Sequence, residues 1–122
     1  MSVMVTGGTG FVGLNLVEAL LARGEHVVAV GLDGVPPVAA AKFAALPGRL
    51  DSVRADVTDA AAMAGLMRAH GVDRLFPFAA ITSGPDRERD MPERVIEVNL
   101  LGFMAQLRAA REVGVGRIIA PS

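Results

Sequence analysis

The fold of this chain is decided by the stretch Thr6-Gly7-Gly8-Thr9-Gly10-Phe11-Val12-Gly13, which follows the apolar run Val3-Met4-Val5 and leads directly into a helical pattern. Glycine lets a backbone turn sharply out of a strand, approach an anion closely and bring the next helix against that strand. The amides and the dipole at the start of such a helix favour a negative charge there. The order of strand, glycine turn and helix therefore predicts a dinucleotide-binding turn, with a plain tight turn as the alternative.

Short apolar runs alternate with helical patterns along all 122 residues, which is typical of a parallel sheet covered by helices on both faces. The pattern predicts strands over 3–6, 26–30, 50–54, 74–78 and 117–120. Helices are predicted over 11–23 and 38–46, from a Thr58 cap to His70, and from Asp90 to Gly114 after a polar loop over 82–89. Pro77 has no amide hydrogen, so it must lie at the end of the fourth strand or beside a bulge.

These elements predict one Rossmann-type α/β domain over 1–122, with a doubly wound parallel sheet that stops after the start of strand five. A domain rarely ends inside a buried parallel strand. We therefore expect the domain to be incomplete, with the substrate-binding part lying in a longer protein.

The composition excludes several classes of protein. The net charge is only −1, the 12 basic residues are scattered and aromatic residues make up 4% of the chain, so we reject nucleic acid as a principal partner. Polar residues interrupt the first long apolar segment, and Met1 leads directly into a strand, so neither a membrane span nor a signal peptide is expected and the cytoplasm is the default location. The absence of cysteine excludes disulfides and thiolate metal sites.

The predicted helix over 92–113 is apolar on most of its sides. A helix of this kind needs cover on both faces. One face can lie on the sheet, so the other is expected to meet a second subunit or a further segment of chain, which also accounts for the mean hydropathy of +0.44. Asn99 stands inside this apolar helix, where a buried amide would need partners.

Three further candidate sites follow predicted strands. Asp33 is the acid nearest the end of strand two, where a carboxylate binds the adenosine ribose, and no Arg or Lys lies between Val27 and Ala41 to hold a 2′-phosphate. A phosphate about 4 Å from Asp33 would meet roughly 4 kcal/mol of repulsion per unit charge before screening. We therefore expect NAD rather than NADP.

Asp56 follows strand three, where it can accept a hydrogen bond from the amino group of adenine, although a turn or cap role is equally favoured. The small residues after strand four in Phe78-Ala79-Ala80 let backbone pass close to a ribose or nicotinamide, or simply pack as a strand end.

Other polar residues receive plainer interpretations. His26 and His70 are read as structural, and no metal-ligand cluster is predicted. Arg87, Arg89 and Arg94 alternate with acidic residues, which favours a solvated charged face over an anion clamp. Thr82 and Ser83 are read equally as a substrate-side loop and as a polar turn.

Taken together, these motifs resemble the extended short-chain dehydrogenase/reductases, the NAD-dependent epimerase/dehydratase family, in its N-terminal half. The matching segments are Thr6 to Gly13, Asp56-Val57, Phe78-Ala79-Ala80, and Asn99-Leu100-Leu101-Gly102 with the following helix to Arg117. The resemblance implies that the pyrophosphate is lined by Gly7, Gly10 and Gly13, with Phe11 and Val12 at the helix start beneath it. It also implies that adenine is held by Asp56 and Val57, that the cofactor is bordered by Phe78, Ala79 and Ala80, that Asn99 belongs to the active-site scaffold, and that the helix over 92–113 forms a homodimer.

The chain departs from the family pattern at several positions. Gly31 stands where many members have the ribose-binding acid, and Pro77 stands where His is frequent. The family performs acid–base chemistry with a Ser or Thr after strand five and a Tyr-x-x-x-Lys pair, yet this chain has no tyrosine and its only lysine is Lys42, while Ser122 aligns with a serine one position before the catalytic hydroxyl. No catalytic residue is therefore assigned, and the 122 residues alone are expected to be inactive.

The function expected is the cofactor-binding portion of an NAD-dependent oxidoreductase, epimerase or dehydratase. Such an enzyme transfers a hydride between a substrate carbinol carbon, here of a sugar or sugar nucleotide, and nicotinamide. The alternative is a non-catalytic dinucleotide-binding sensor, which would keep the glycines and lack the Tyr-x-x-x-Lys pair in its whole chain.

Overall fold

A computed structural model describes residues 1–80 and 85–121, without the side chains at positions 85, 87 and 88. The strands are β1 Ser2–Thr6, β2 His26–Gly31, β3 Arg49–Arg54, β4 Val72–Pro77 and β5 Arg117–Ile118. The helices are α1 Phe11–Ala22, α2 Pro37–Phe43, α3 Ala60–Ala69, α4 Pro85–Asp90, α5 Pro92–Ile96 and α6 Phe103–Val113, with a π-helical segment Glu97–Gly102 between the last two.

All five strands are parallel and lie in the order β3-β2-β1-β4-β5. Strand β1 therefore lies between β2 and β4, and the direction in which the chain winds reverses there. A crevice forms at such a switch point, outside the carboxyl ends of the strands. The predicted doubly wound parallel sheet is confirmed, and Pro77 is the last residue of β4, where its missing amide hydrogen costs no ladder bond.

Two hydrophobic layers cover the sheet, because successive strand residues point to opposite faces. One layer packs strand residues such as Val3 and Val27 against α1 and α2. The other packs Met4 and Val28 against α3 and α6. Among the helices that the structure describes, none combines the length and apolarity needed to cross a bilayer.

Helix α3 begins later than the sequence pattern predicts. Its N-cap is Asp59, whose carboxylate accepts a hydrogen bond from the Ala62 amide at 3.0 Å. The Thr58 hydroxyl donates to Asp56 instead, at 2.7 Å. The prediction of a Thr58 cap is therefore wrong, because two neighbouring residues both have the chemistry of a cap and a nearby carboxylate acceptor decides between them.

The single long helix predicted from Asp90 is divided in the structure. Part of the predicted polar loop is helix α4, and residues 81–84 lie outside the described part. Met91, whose φ of −146° and ψ of 56° are not helical, separates Asp90 from α5. The π-helical segment follows, and a Cβ on Gly102 would lie 3.1 Å from the Val57 side chain, so this segment packs closely on the turn after β3. Such π segments are frequent at functional sites.

The π-helical segment buries Val98 and Gly102 and leaves Asn99 exposed. The expectation that Asn99 is a buried amide is therefore wrong, since Asn99 lies on the outer side of the segment. Large apolar side chains are also exposed along this stretch: Ile96, Leu100, Leu101 and Met104.

Candidate functional site

A cleft of about 230 Å³ opens at the carboxyl edge of the sheet, at the switch point. Most of the residues that the sequence selected meet in its lining: Gly7, Gly10, Asp33, Asp56, Val57, Phe78, Ala79 and Ala80. The chain brings them together from the ends of four different strands. The lining also contains residues that sequence reasoning did not place there: Thr9, Val30, Gly31, Leu32, Ala55, Arg94 and Val98.

The glycine turn has no room for side chains at two of its positions. Gly7 has a φ of +67°, and a Cβ there would lie 2.7 Å from the Phe78 carbonyl oxygen. A Cβ on Gly13 would lie 1.9 Å from the Gly7 carbonyl oxygen. Gly10 is exposed and has ordinary space at 3.5 Å, so its contribution is an open backbone beside the cleft.

Helix α1 starts directly after Gly10, with no acidic residue in its first turn and no capping hydrogen bond from a described side chain. Its amino end therefore keeps its partial positive charge for an anion. Phe11 and Val12 open the helix with 85% and 63% exposure, beside the cleft and outside its lining. Gly13 is buried under the turn, where it permits contact between helix and turn.

A buried polar network ties the end of β4 to helix α6. The Thr6 hydroxyl donates to Gln106 Oε1 at 2.6 Å and accepts from the Ala79 amide at 3.2 Å. Gln106 Nε2 in turn donates to the Gly102 carbonyl oxygen at 3.2 Å. The Thr6 and Gln106 side chains are both fully buried, so the network fixes the backbone of the cleft wall at Ala79. The sequence showed only a threonine at a strand end and a glutamine in an apolar helix.

Asp56 forms a turn, which is one of the two roles that the sequence left open, and it also lines the cleft. Its Oδ1 accepts from the Thr58 amide at 3.0 Å and from the Thr58 hydroxyl at 2.7 Å, which forms the turn after β3. Its Oδ2 lies 3.4 Å from the Arg94 guanidinium. The pKa of Asp56 lies below its ordinary value, chiefly because the carboxylate accepts a hydrogen bond from the Thr58 amide. The hydrogen bonds from the Thr58 hydroxyl and Arg94 lower this pKa further. An ionised carboxylate is a hydrogen-bond acceptor only.

Arg94 lines the cleft and contacts both Asp56 and Glu97, so it borders the cleft as well as belonging to the charged face that the sequence favours. Arg89 lies on the outside and pairs with Asp86 at 3.8 Å. The Arg87 side chain, Thr82, Ser83 and Ser122 lie outside the described residues.

At the end of β2, Asp33 lines the cleft and Gly31 lies against Thr9. A Cβ on Gly31 would be 2.5 Å from the Thr9 hydroxyl oxygen. Arg54, at the end of β3, approaches the loop after β2, with its guanidinium nitrogens 3.7 and 3.8 Å from a Cβ placed on Gly34. The sequence search for a cation near Asp33 missed Arg54, because this arginine arrives from the neighbouring strand.

Both histidines lie near Asp51 at the amino edge of the sheet, away from the cleft. The sequence predicted no cluster of possible metal ligands. This prediction is wrong, because the ligand atoms of His26, Asp51 and His70 lie close together. His26 and His70 come from different elements and 44 positions of sequence separate them, so their proximity has no local sequence signal.

Five parallel strands, helices on both faces and a glycine-lined cleft at the switch point define a Rossmann-type α/β domain. Residues 3–122 match the model of the NAD dependent epimerase/dehydratase family, and the chain belongs to that family.

Two curated relatives illustrate the range of the family. Sterol demethylase protein B of Methylococcus capsulatus is 35% identical over 130 residues, which cover 100% of this chain and 34% of the relative. The dTDP-glucose 4,6-dehydratase of Xanthomonas campestris pv. campestris is 36% identical over 112 residues, which cover 89% of this chain and 31% of that protein. The chain thus spans about a third of the length of the curated relatives it matches.

A solved structure shows the same architecture. The UDP-glucose-4-epimerase from Stenotrophomonas maltophila, with bound NAD and formylated UDP-arabinopyranose, superposes with a TM-score of 0.83 at 29% identity, covering 98% of this chain and 36% of that one.

Proposed function

We propose that this chain binds NAD in the cleft at the carboxyl ends of β1 to β4 and forms the cofactor-binding portion of an epimerase, dehydratase or related oxidoreductase. The observation that carries the proposal is the convergence of the glycine turn, Asp33, Asp56 and Phe78 to Ala80 on one cleft. The solved relative with bound NAD supports it.

The residues fit the parts of the dinucleotide in order. The pyrophosphate lies at the turn Gly7 to Gly13, over the amino end of α1, with Phe11 and Val12 at the helix start. Adenine lies against Asp56 and Val57 and the ribose diol against Asp33, whereas the backbone of Phe78, Ala79 and Ala80 borders the nicotinamide side. Asn99, on the outer side of the π-helical segment, belongs to the scaffold around the reacting groups.

NAD is the proposed cofactor in preference to NADP. Asp33 lines the cleft, where its charge would repel a 2′-phosphate, while Arg54 is absent from that lining among the described residues. Arg54 is the counter-argument, since it approaches the loop after β2. Asp33 therefore favours NAD, whereas Arg54 would favour NADP.

Titration calorimetry with NAD and with NADP distinguishes them. Asp33→Asn should weaken NAD binding by about 10- to 100-fold, the value of a charged hydrogen bond, and should narrow the preference over NADP. Asp86→Asn, an exposed acid on α4, is the matched control and should change nothing. The assignment of NAD would be overturned if the wild type bound NADP as tightly as NAD or more tightly, and if Arg54→Gln lost that binding of NADP.

We propose that the whole protein transfers a hydride between a carbinol carbon and NAD, which accepts and returns that hydride when bound. A sugar or sugar nucleotide is the first substrate class, because relatives and solved neighbours are named for dTDP-glucose and UDP-glucose. A sterol alcohol is the second, because another relative is named for sterol demethylation.

The chain itself provides no tyrosine, and Lys42 pairs with Glu18 at 2.8 Å on the far side of α1. Product analysis with both substrate classes and NAD should therefore show no turnover by these 122 residues and turnover by the full-length protein. NAD binding by the full-length protein without turnover would favour the sensor instead.

Homodimerisation through the helical stretch 92–113 and a cytoplasmic location complete the proposal. The exposed apolar side chains on that stretch support the dimer: Ile96, Leu100, Leu101 and Met104. Light scattering of the purified protein and fractionation of cells test the two statements.

A further inference from the structure

Both histidines of the chain lie beside one carboxylate. His26 Nε2 is 2.6 Å from Asp51 Oδ2, and His70 Nδ1 is 3.5 Å from the same oxygen. The ligand atoms of the three residues all lie within 4.8 Å of one another. The chain has only 2 histidines and no cysteine, so this is the one place where its imidazoles can act together.

Different elements hold the three side chains in place. His26 opens β2 and Asp51 lies on β3, with Val28 as its register partner, so that His26 and Asp51 share a face of the sheet. His70 is the C-cap of α3, which covers that face. The buried Ser2 hydroxyl donates to the His70 carbonyl oxygen at 2.8 Å and anchors the backbone there.

We propose that His26, Asp51 and His70 form a binding site for a divalent transition metal ion such as Zn²⁺. Zinc takes imidazole nitrogen at about 2.0–2.1 Å and carboxylate oxygen at about 2.0–2.2 Å, which puts neighbouring ligand atoms of a tetrahedral site roughly 3.4 Å apart. The separation of His70 from Asp51 is close to that value, and the shorter separation of His26 from Asp51 must lengthen by about 0.8 Å when the ion replaces their hydrogen bond. Imidazole ligands favour Zn²⁺, Cu²⁺ or Ni²⁺ over Mg²⁺ and Ca²⁺.

Each side chain is about a quarter exposed, with 25% for His26, 25% for Asp51 and 24% for His70, so an ion can enter from solvent. Among the described residues, Arg49 is the one arginine or lysine that contacts the Asp51 carboxylate, 3.5 Å from Oδ2, and its positive charge would compete with a bound metal ion. Its side chain is 73% exposed and can turn into solvent when the ion binds.

The ion would connect the edge strand β3 to β2 and to the end of α3. The site lies at the amino edge of the sheet, whereas the cleft lies at the carboxyl edge. We therefore expect a structural role, with stability rising as the ion binds and NAD affinity unchanged.

Titration calorimetry of the tag-free purified protein with ZnCl₂, after treatment with EDTA, tests the site. One saturable equivalent is expected, together with a rise in the thermal midpoint of about 8 °C at 100 times the dissociation constant. In NMR spectra, the ring signals of both histidines should shift, and they are assigned by their loss in His26→Gln and His70→Gln.

Each of His26→Gln, His70→Gln and Asp51→Asn should weaken Zn²⁺ binding at least about 10-fold. Arg49→Gln should tighten it severalfold by removing the competing cation, a gain that misfolding cannot imitate. Asp86→Asn serves as the control. Absence of saturable binding to the folded protein, or equal binding by the three ligand variants, would overturn the proposal.

Discussion

Gly13→Ala is the most direct test of how the glycine turn positions helix α1. The new methyl group would start 1.9 Å from the Gly7 carbonyl oxygen, whereas Cβ contacts below 3.0 Å essentially never occur, so helix and turn must separate by about 1.1 Å. Overpacking of this kind costs about 1–3 kcal/mol. The helical preference of alanine returns about 1 kcal/mol of that.

The larger effect is expected on the proposed NAD site. A displacement of this size moves the amides at the start of α1 away from the pyrophosphate, and a hydrogen bond to a charged group is worth about 1.5–3 kcal/mol. Losing one such bond weakens NAD binding about 10- to 100-fold. Titration calorimetry gives the affinity, and urea unfolding gives the change in stability.

Gly65→Ala is the matched control, because Gly65 lies inside α3 with nothing within 4 Å of a new Cβ. It should raise the free energy of unfolding by about 0.5–1 kcal/mol and leave NAD affinity unchanged. If Gly13→Ala bound NAD as tightly as the wild type and unfolded at the same urea concentration, the close approach at Gly13 would not position the turn.

Three further predictions concern buried contacts, acid stability and assembly. Thr6→Val should cost about 2–4 kcal/mol in urea unfolding, because it leaves Gln106 Oε1 and the Ala79 amide unpaired, and adding Gln106→Leu should restore part of the loss; additive effects would refute this coupling. The hydrogen bonds from Arg74 lower the pKa of Glu25 below its ordinary value of 4.5, so the stability that Glu25 contributes is present above that value and is lost as pH falls through the folded-state pKa. Glu25→Gln should accordingly flatten the decline of stability below about pH 4.5 in acid titrations followed by circular dichroism, and an unchanged slope would count against it. Leu100→Glu should shift the protein toward monomer in light scattering, whereas Val38→Glu, on the exposed side of α2, should not; a dimer in both would place the interface elsewhere.

The order of elements could be read from the sequence because parallel strands buried on both faces leave short apolar runs, and helices leave longer amphipathic ones. The boundaries of the helices were harder to predict from the sequence. Thr58 and Asp59 are both good caps, and only the position of the Asp56 carboxylate makes Thr58 part of a turn. The π-helical segment likewise has no local signal, because the sequence over 92–113 has the pattern of one continuous helix.

The cleft was predictable wherever its residues directly follow strands. The rule that ligands bind at the carboxyl ends of a parallel sheet was enough to select Asp33, Asp56 and the residues after β4. The contact of Arg94 with the cleft was not predictable, because its partner Asp56 is 38 positions away and its own neighbours are alternating charges. The pairing of Thr6 with Gln106 spans 100 positions, and such contacts are properties of the folded sheet, not of any sequence window.

Gly31 stands where many family members have the ribose-binding acid, and Thr9 lies directly beside it. A Cβ at position 31 would lie 2.5 Å from the Thr9 hydroxyl oxygen and 3.1 Å from the Thr9 methyl group, so an acid there would require the Thr9 side chain to change its rotamer. Two residues further along the chain, Asp33 again faces the cleft, and it takes the proposed place of the missing carboxylate. Residues 9 and 31 are therefore coupled: a side chain at position 31 requires Thr9 either to turn away or to be replaced by a smaller residue.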